Sequence, residues 1–362
     1  MLTKLFKSIA ILLLSVHCCG AVPVVGILSQ PKTSGNETYH YIAASYVKWI
    51  ESSGAIAIPI PYDADETLTR EIFSQINGVL FPGGDALLPL SASVMWELAL
   101  ESNKRGEYFP LWGTCLGFGK FLPILTQLLI IIFVYGLIGT SLLHLASQSE
   151  FLIELAGGKN VLQTGFNAEN VSLPLILSTE HKSQLYQEEY IQNIVSTKNI
   201  TMNNHRNGIT PSHFGGNARL TTMFRATSTS IDLDGNPFVS TIESSMNYPI
   251  FGVQYHPEKN TFEYGLQPGT SIPYEAIDHT EEAIHLSLHL AMFFGSCLRK
   301  SSVGEYTLVN RHCPITEYPI VKGVTFEQIY IIPHASQWET SESLEDSHDF
   351  PEFGLRGSTS NR

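Results

Sequence analysis

Trp112-Gly113-Thr114-Cys115-Leu116-Gly117-Phe118 follows the apolar run Tyr108-Phe109-Pro110-Leu111-Trp112, and the two together decide the fold. The run reads as a short buried strand, and the cysteine after it has a glycine two residues away on either side. This is the pattern of a strand-to-helix elbow. The turn is so tight that side chains at its flanks would collide, so both flanks are glycine. A nucleophile there projects above the end of a sheet, and the helix that follows points its positive N-terminus at the sulfur and stabilises the thiolate. Alone, the pentapeptide fits a structural cysteine beside a glycine-rich turn equally well, because short motifs recur by chance.

Two further strand ends change that balance. Tyr248-Pro249-Ile250-Phe251-Gly252-Val253-Gln254-Tyr255-His256-Pro257-Glu258-Lys259 is a buried apolar strand ending in His-Pro-Glu. The proline fixes the backbone between the two polar residues. Two residues apart on extended backbone, His256 and Glu258 point the same way, so Glu258 can bond one imidazole nitrogen while the other takes the Cys115 proton. Upstream, Gly78-Val79-Leu80-Phe81-Pro82-Gly83-Gly84-Asp85 is a strand ending in a Gly-Gly turn. Backbone N–H groups at Gly83 or Gly84, with that of Leu116, can form an oxyanion hole. Singly, His256 reads as a surface histidine and Gly83-Gly84 as a plain turn; three strand-terminal motifs in this order do not arise easily by chance.

These motifs resemble the class I glutamine amidotransferase-like superfamily, and within it the gamma-glutamyl hydrolases. The resemblance begins at Pro23-Val24-Val25-Gly26-Ile27-Leu28-Ser29-Gln30-Pro31 and continues through Tyr41-Ile42-Ala43-Ala44-Ser45-Tyr46-Val47-Lys48. It takes in the Gly78, Cys115 and His256 segments and fades near Ile332. It implies Cys115 as nucleophile, His256 as base and Glu258 as acid. A second active-site histidine falls on His205, in Asn204-His205-Arg206-Asn207-Gly208-Ile209, where Asn207 replaces an expected aromatic residue. The implied activity is thiol hydrolysis of folate poly-gamma-glutamates, a small-molecule substrate, without metal or organic cofactor. A homodimer and an acidic compartment are also implied. A glutaminase feeding ammonia to a synthetase would use the same chemistry, but no synthetase domain follows.

With 362 residues and 43% hydrophobic content, the chain can build one large α/β core. A net charge of −13 without a basic run excludes a nucleic-acid groove. It also requires a locally positive pocket for a substrate rich in carboxylates, for which Arg206 is a candidate. Lys4 and Lys7, the apolar run from Ile9 to Val16 and Cys18-Cys19-Gly20-Ala21 read as a secretory signal over residues 1–20. Secretory entry gives meaning to the sequons at Asn36, Asn170 and Asn199 and suggests a lysosomal, vacuolar or extracellular glycoprotein. Cys297 and Cys313 are either one disulfide or two thiols; spacing does not decide.

Between the motifs, strands alternate with helices, which predicts three α/β/α layers around a mostly parallel sheet. Helices are expected over Tyr39–Ser53, Thr67–Ser74, Val94–Glu101 and Glu281–Phe294, with antiparallel strands between Leu220 and Glu243. One catalytic domain thus runs over 22–332, and residues 333–362 form a polar, acidic tail with the composition of disorder. One stretch departs from the pattern. Residues 119–149 read as an insertion, and Phe121 to Ser149 contains no charged side chain. In the resembling family the elbow runs almost directly into a segment like Phe151-Leu152-Ile153-Glu154-Leu155. A retained intron, an apolar lid or a membrane span would each account for it. A single span is disfavoured because it would part Cys115 from His256 across the bilayer. A catalytically impaired, membrane-tethered relative is the non-enzymatic alternative.

Overall fold

The strands of the computed structural model are β1 (Val24–Leu28), β2 (Gln30–Ser34), β3 (Glu37–Ala43), β4 (Ile56–Ile60), β5 (Gly78–Phe81), β6 (Leu111–Thr114) and β7 (Gln163–Leu173). They continue with β8 (Ile176–Leu177), β9 (Thr201–Gly208), β10 (Phe224–Ile231), β11 (Pro237–Ser244), β12 (Ile250–Val253), β13 (Ile320–Lys322) and β14 (Gln328–Ile332). The structure describes residues 22–34, 37–84, 86–115, 151–158, 161–304, 314–323 and 326–338. The expected signal segment, Asn36, Leu116, the apolar stretch at 119–149, Cys313 and the tail beyond 338 lie outside these residues. Among the described residues, no helix is long and apolar enough to cross a membrane.

The main sheet has the order β4-β1-β5-β6-β12-β11-β10-β8. From β4 to β12 every pairing is parallel. The β12, β11, β10 and β8 pairings are antiparallel, as the Thr- and Ser-rich region predicts. The parallel strands are buried on both faces, so they carry unbroken apolar runs such as Val-Val-Gly-Ile-Leu in β1. Side chains alternate between two cores: Val25 and Ile27 enter one, Val24 and Leu28 the other. Helices Ala44–Glu51, Glu189–Thr197 and Glu281–Leu298 line the first face. Helices Glu66–Phe73, Leu90–Arg105, Phe151–Gly157 and Ala218–Met223 line the second. The three-layer α/β/α architecture follows.

Two expectations need correction. The helical spacing from Tyr39 to Ser53 yields a helix only over Ala44–Glu51, because Glu37–Ala43 is a strand. That strand bonds to β2 on one side and to β14 on the other. Pairing with a partner almost 300 residues away overrides the local period. The fold also extends past residue 332. β14 continues into a 3₁₀ turn at Ala335–Gln337, and His334 and the Ala335 N–H both bond to Asp63.

Candidate active site

Cys115 stands at the end of β6 with φ +57°, in the left-handed region that a non-glycine residue rarely occupies. A strained dihedral at a strand end is what a nucleophile elbow requires. The strand beneath is anchored by Trp112, whose ring packs on Trp49 and Phe294 at centroid distances of 5.2 and 5.6 Å. Gly113 is bare because Leu152 presses on it: a Cβ there would lie 2.7 Å from a Leu152 methyl. The helix Phe151–Gly157, the segment expected directly after the elbow, therefore packs against the strand that ends in Cys115.

The next parallel strand, β5, brings Gly83 alongside. A Cβ on Gly83 would meet His256 Cε1 at 2.7 Å, Cys115 Cβ at 2.9 Å and the Tyr46 hydroxyl at 3.0 Å. Cys115, His256 and Tyr46 thus converge on one point at the carboxyl ends of β5, β6 and β12, where open α/β sheets bind ligands. All three are buried, and Cys115 is 6% exposed.

His256 Nδ1 bonds Glu258 Oε1 at 2.7 Å. The pairing is as expected, but the backbone differs: Glu258 is helical (φ −67°, ψ −26°), opening the turn at Lys259–Phe262. A turn rather than extended chain brings the carboxylate beneath the ring. The backbone of His256 is held by its N–H, which donates to the Met202 carbonyl of β9 at 2.8 Å. Glu258 is completely buried, so its charge depends on hydrogen-bonded partners.

Tyr46 is the residue of the candidate site that the motifs leave without a role. Its hydroxyl accepts from the Gly83 N–H at 2.8 Å, lies 3.3 Å from His256 Nδ1 and is close enough to feel the Glu258 charge. Burial, then the nearby Glu258 and Cys115 charges, push the phenol well above its usual range, which keeps it protonated and a donor. The signal was an aromatic residue carrying a hydroxyl on the apolar face of the helix Ala44–Glu51.

The remaining predicted residues separate. The Gly83 N–H is committed to Tyr46 and does not face an oxyanion, leaving Gly84 as that turn's candidate donor; a side chain on Gly84 would strike the Gln30 amide. His205 sits inside β9 at 1% exposure. Its Nδ1 faces the Asn207 carbonyl at 2.7 Å and its Nε2 the Asn203 side chain at 3.3 Å. Burial lowers its pKa to about 3, and nearby His256 acts in the same sense, so it is neutral. Arg206 is exposed and paired with Glu169, while buried Lys259 is paired with Glu275. Asn170 and Asn199 are exposed. Cys297 is a free buried thiol.

A family profile described as Peptidase C26 matches residues 23–124. Gamma-glutamyl hydrolase B of Dictyostelium discoideum is 34% identical over 335 residues, covering 87% of this chain and 84% of its own. Gamma-glutamyl hydrolase 1 of Arabidopsis thaliana is 34% identical, covering 77% and 72%. Gamma-glutamyl hydrolase of Homo sapiens is 31% identical, covering 85% and 89%. An α/β sheet with a cysteine at its elbow and this profile define a cysteine-type hydrolase. More narrowly, the chain belongs to the gamma-glutamyl hydrolase family.

Proposed function

We propose that this chain hydrolyses the gamma-glutamyl amide bonds of folate poly-gamma-glutamates through a thioester on Cys115. The observation that carries the reading is the convergence of Cys115 and His256 on the bare face of Gly83, with Glu258 holding the far nitrogen of the imidazole. Nδ1–H donates to Glu258, so Nε2 is the nitrogen that exchanges a proton with the thiol. The thiolate attacks the gamma-carbonyl carbon as His256 becomes imidazolium. Collapse of the tetrahedral intermediate breaks the C–N bond, and the imidazolium proton leaves with the amine. Water, deprotonated by His256, then attacks the thioester carbonyl, and the C–S bond breaks to release the folate-bearing glutamyl group as its gamma-carboxylate while the sulfur regains its proton. The backbone N–H groups of Gly84 and Leu116 serve the oxyanion, and the loss of one such donor typically costs about 3 kcal/mol. His205, buried in β9 with its Nδ1–H given to the Asn207 carbonyl, serves as packing near His256.

The exposed sequons at Asn170 and Asn199 support a secretory-pathway glycoprotein. The decisive experiment is Cys115→Ala assayed on diglutamyl folate. Hydrolysis should fall to background while substrate binding by equilibrium dialysis persists. Undiminished hydrolysis would refute the mechanism, and ammonia release from free glutamine without folate cleavage would replace it with a glutaminase.

A further inference from the structure

At the edge strand of the main sheet, three elements distant in sequence meet. His40 comes from β3, Asp63 from the loop after β4, and His334 from the residues just past β14. One potential donor atom from each lies within 4.8 Å of the other two. The antiparallel pairing of Ile332 with His40 sets this up, because it carries His334 just beyond the rung of His40.

The polar atoms here satisfy one another only in part. His334 Nε2 bonds the Thr38 carbonyl at 3.1 Å, so that nitrogen is the donor. Nδ1 is approached by the Gln337 N–H in a capping box and also lies 2.9 Å from Asp63 Oδ2, so its lone pair faces a carboxylate unless a cation or an extra proton lies between them. His40 is 2% exposed, and its Nδ1 makes no hydrogen bond; it faces Asp63 Oδ1 across 3.5 Å. Two imidazole nitrogens and a carboxylate are therefore turned toward one another.

We infer that His40, Asp63 and His334 bind one divalent transition-metal ion, of which Zn²⁺ is the best match. Zn²⁺ takes imidazole nitrogen and carboxylate oxygen at about 2.0–2.2 Å, which sets tetrahedral donors roughly 3.3 Å apart. His334 Nδ1 lies 2.9 Å from Asp63 Oδ2 and His40 Nδ1 3.5 Å from Asp63 Oδ1, so each imidazole stands at about that distance from one oxygen of the carboxylate. The surroundings have the character of an outer shell: the Thr38 carbonyl fixes the His334 tautomer, and the Ala335 N–H, 3.0 Å from Asp63 Oδ1, orients the carboxylate. With three protein ligands, water fills the fourth position. The ion lies three strands along the sheet from Cys115, at β4 rather than β6. Its effect is to fasten the C-terminal strand to the first strands of the chain.

The test uses the full-length protein, stripped with chelator and titrated with Zn²⁺ or Co²⁺ at neutral pH. One ion per chain, Co²⁺ absorption bands typical of four-coordinate nitrogen and oxygen ligation, and a thermal midpoint raised by about 5 °C or more are expected. His334→Ala changes a partly exposed ligand and should fold. It should weaken metal affinity at least tenfold and abolish the thermal shift. Asp63→Asn, which keeps the shape, should weaken affinity as well, and gamma-glutamyl hydrolysis should be unchanged in both. No stoichiometric binding, or the same stoichiometry and thermal shift in His334→Ala, would overturn the site. In that case a proton, not a metal, joins His334 to Asp63.

Discussion

Tyr46 shows how one hydroxyl can organise a site. It takes the Gly83 N–H, lies 3.3 Å from His256 Nδ1 and is within electrostatic reach of Cys115 and the buried Glu258. Tyr46→Phe leaves the Gly83 N–H buried without its acceptor, so stability should drop by about 1–3 kcal/mol. kcat should fall about tenfold while KM changes little, since the hydroxyl holds catalytic groups rather than substrate. Steady-state kinetics and urea unfolding on the same preparation check both; an unaltered kcat would remove Tyr46 from the machinery. Cys115 and His256 were readable as candidates because each sits in a contiguous motif with a stereochemical reason for its neighbours. Tyr46 was not, since nothing local distinguishes a helix tyrosine that faces a core from one that faces His256. His205 shows the converse. Its motif suggested a second active-site histidine, and only the tertiary structure places it inside β9 with Nδ1 bonded to the Asn207 carbonyl.

At the scale of elements, the elbow strand depends on a helix that lies 35 or more residues further along the sequence. Leu152 is 2% exposed and occupies the space that Gly113 leaves open. Leu152→Ala should cost about 2–5 kcal/mol, the usual range for a large side chain lost from a core. It should also lower activity, because the cavity opens directly under the strand that ends in Cys115. A denaturant midpoint within error of the parent protein would show that this helix does not support the strand. The helices and strands with strong local periods were readable to within a few residues. The Glu37–Ala43 strand was not, since its state is set by backbone pairing to Gln328–Ile332 and not by the spacing of its own apolar residues.

For the whole molecule, two buried groups set opposing responses to pH. Burial raises the Glu263 carboxyl to about 7. The folded protein therefore holds a proton that the unfolded chain releases near the usual carboxyl value of 4.5, and this stability is lost as pH rises from 4.5 to 7. His205, lowered to about 3 from 6.5, acts in reverse: its contribution is present above 6.5 and is lost as pH falls toward 3. The two slopes oppose each other between 4.5 and 6.5, which flattens the stability profile over the mildly acidic range. Glu263→Gln should remove one arm, so that stability climbs steadily with pH up to about 6.5 and the loss of up to about 3 kcal/mol toward neutrality disappears. Chemical unfolding at several pH values measures this. Parallel profiles for the two proteins would contradict it.

The sequence by itself determined the parallel α/β layering, the elbow cysteine and the His-Pro-Glu pairing, because each rests on short-range periodicity or on steric demands within a few residues. Only the tertiary structure decided which hydroxyl joins that pair, that the Gly83 N–H is already bonded, and that the chain beyond 332 returns to pair with β3. It alone gathers His40, Asp63 and His334, two of which are 271 residues apart. The reason is physical: burial and hydrogen-bond partnership belong to the space around a side chain, and here that space is built from segments the sequence keeps far apart.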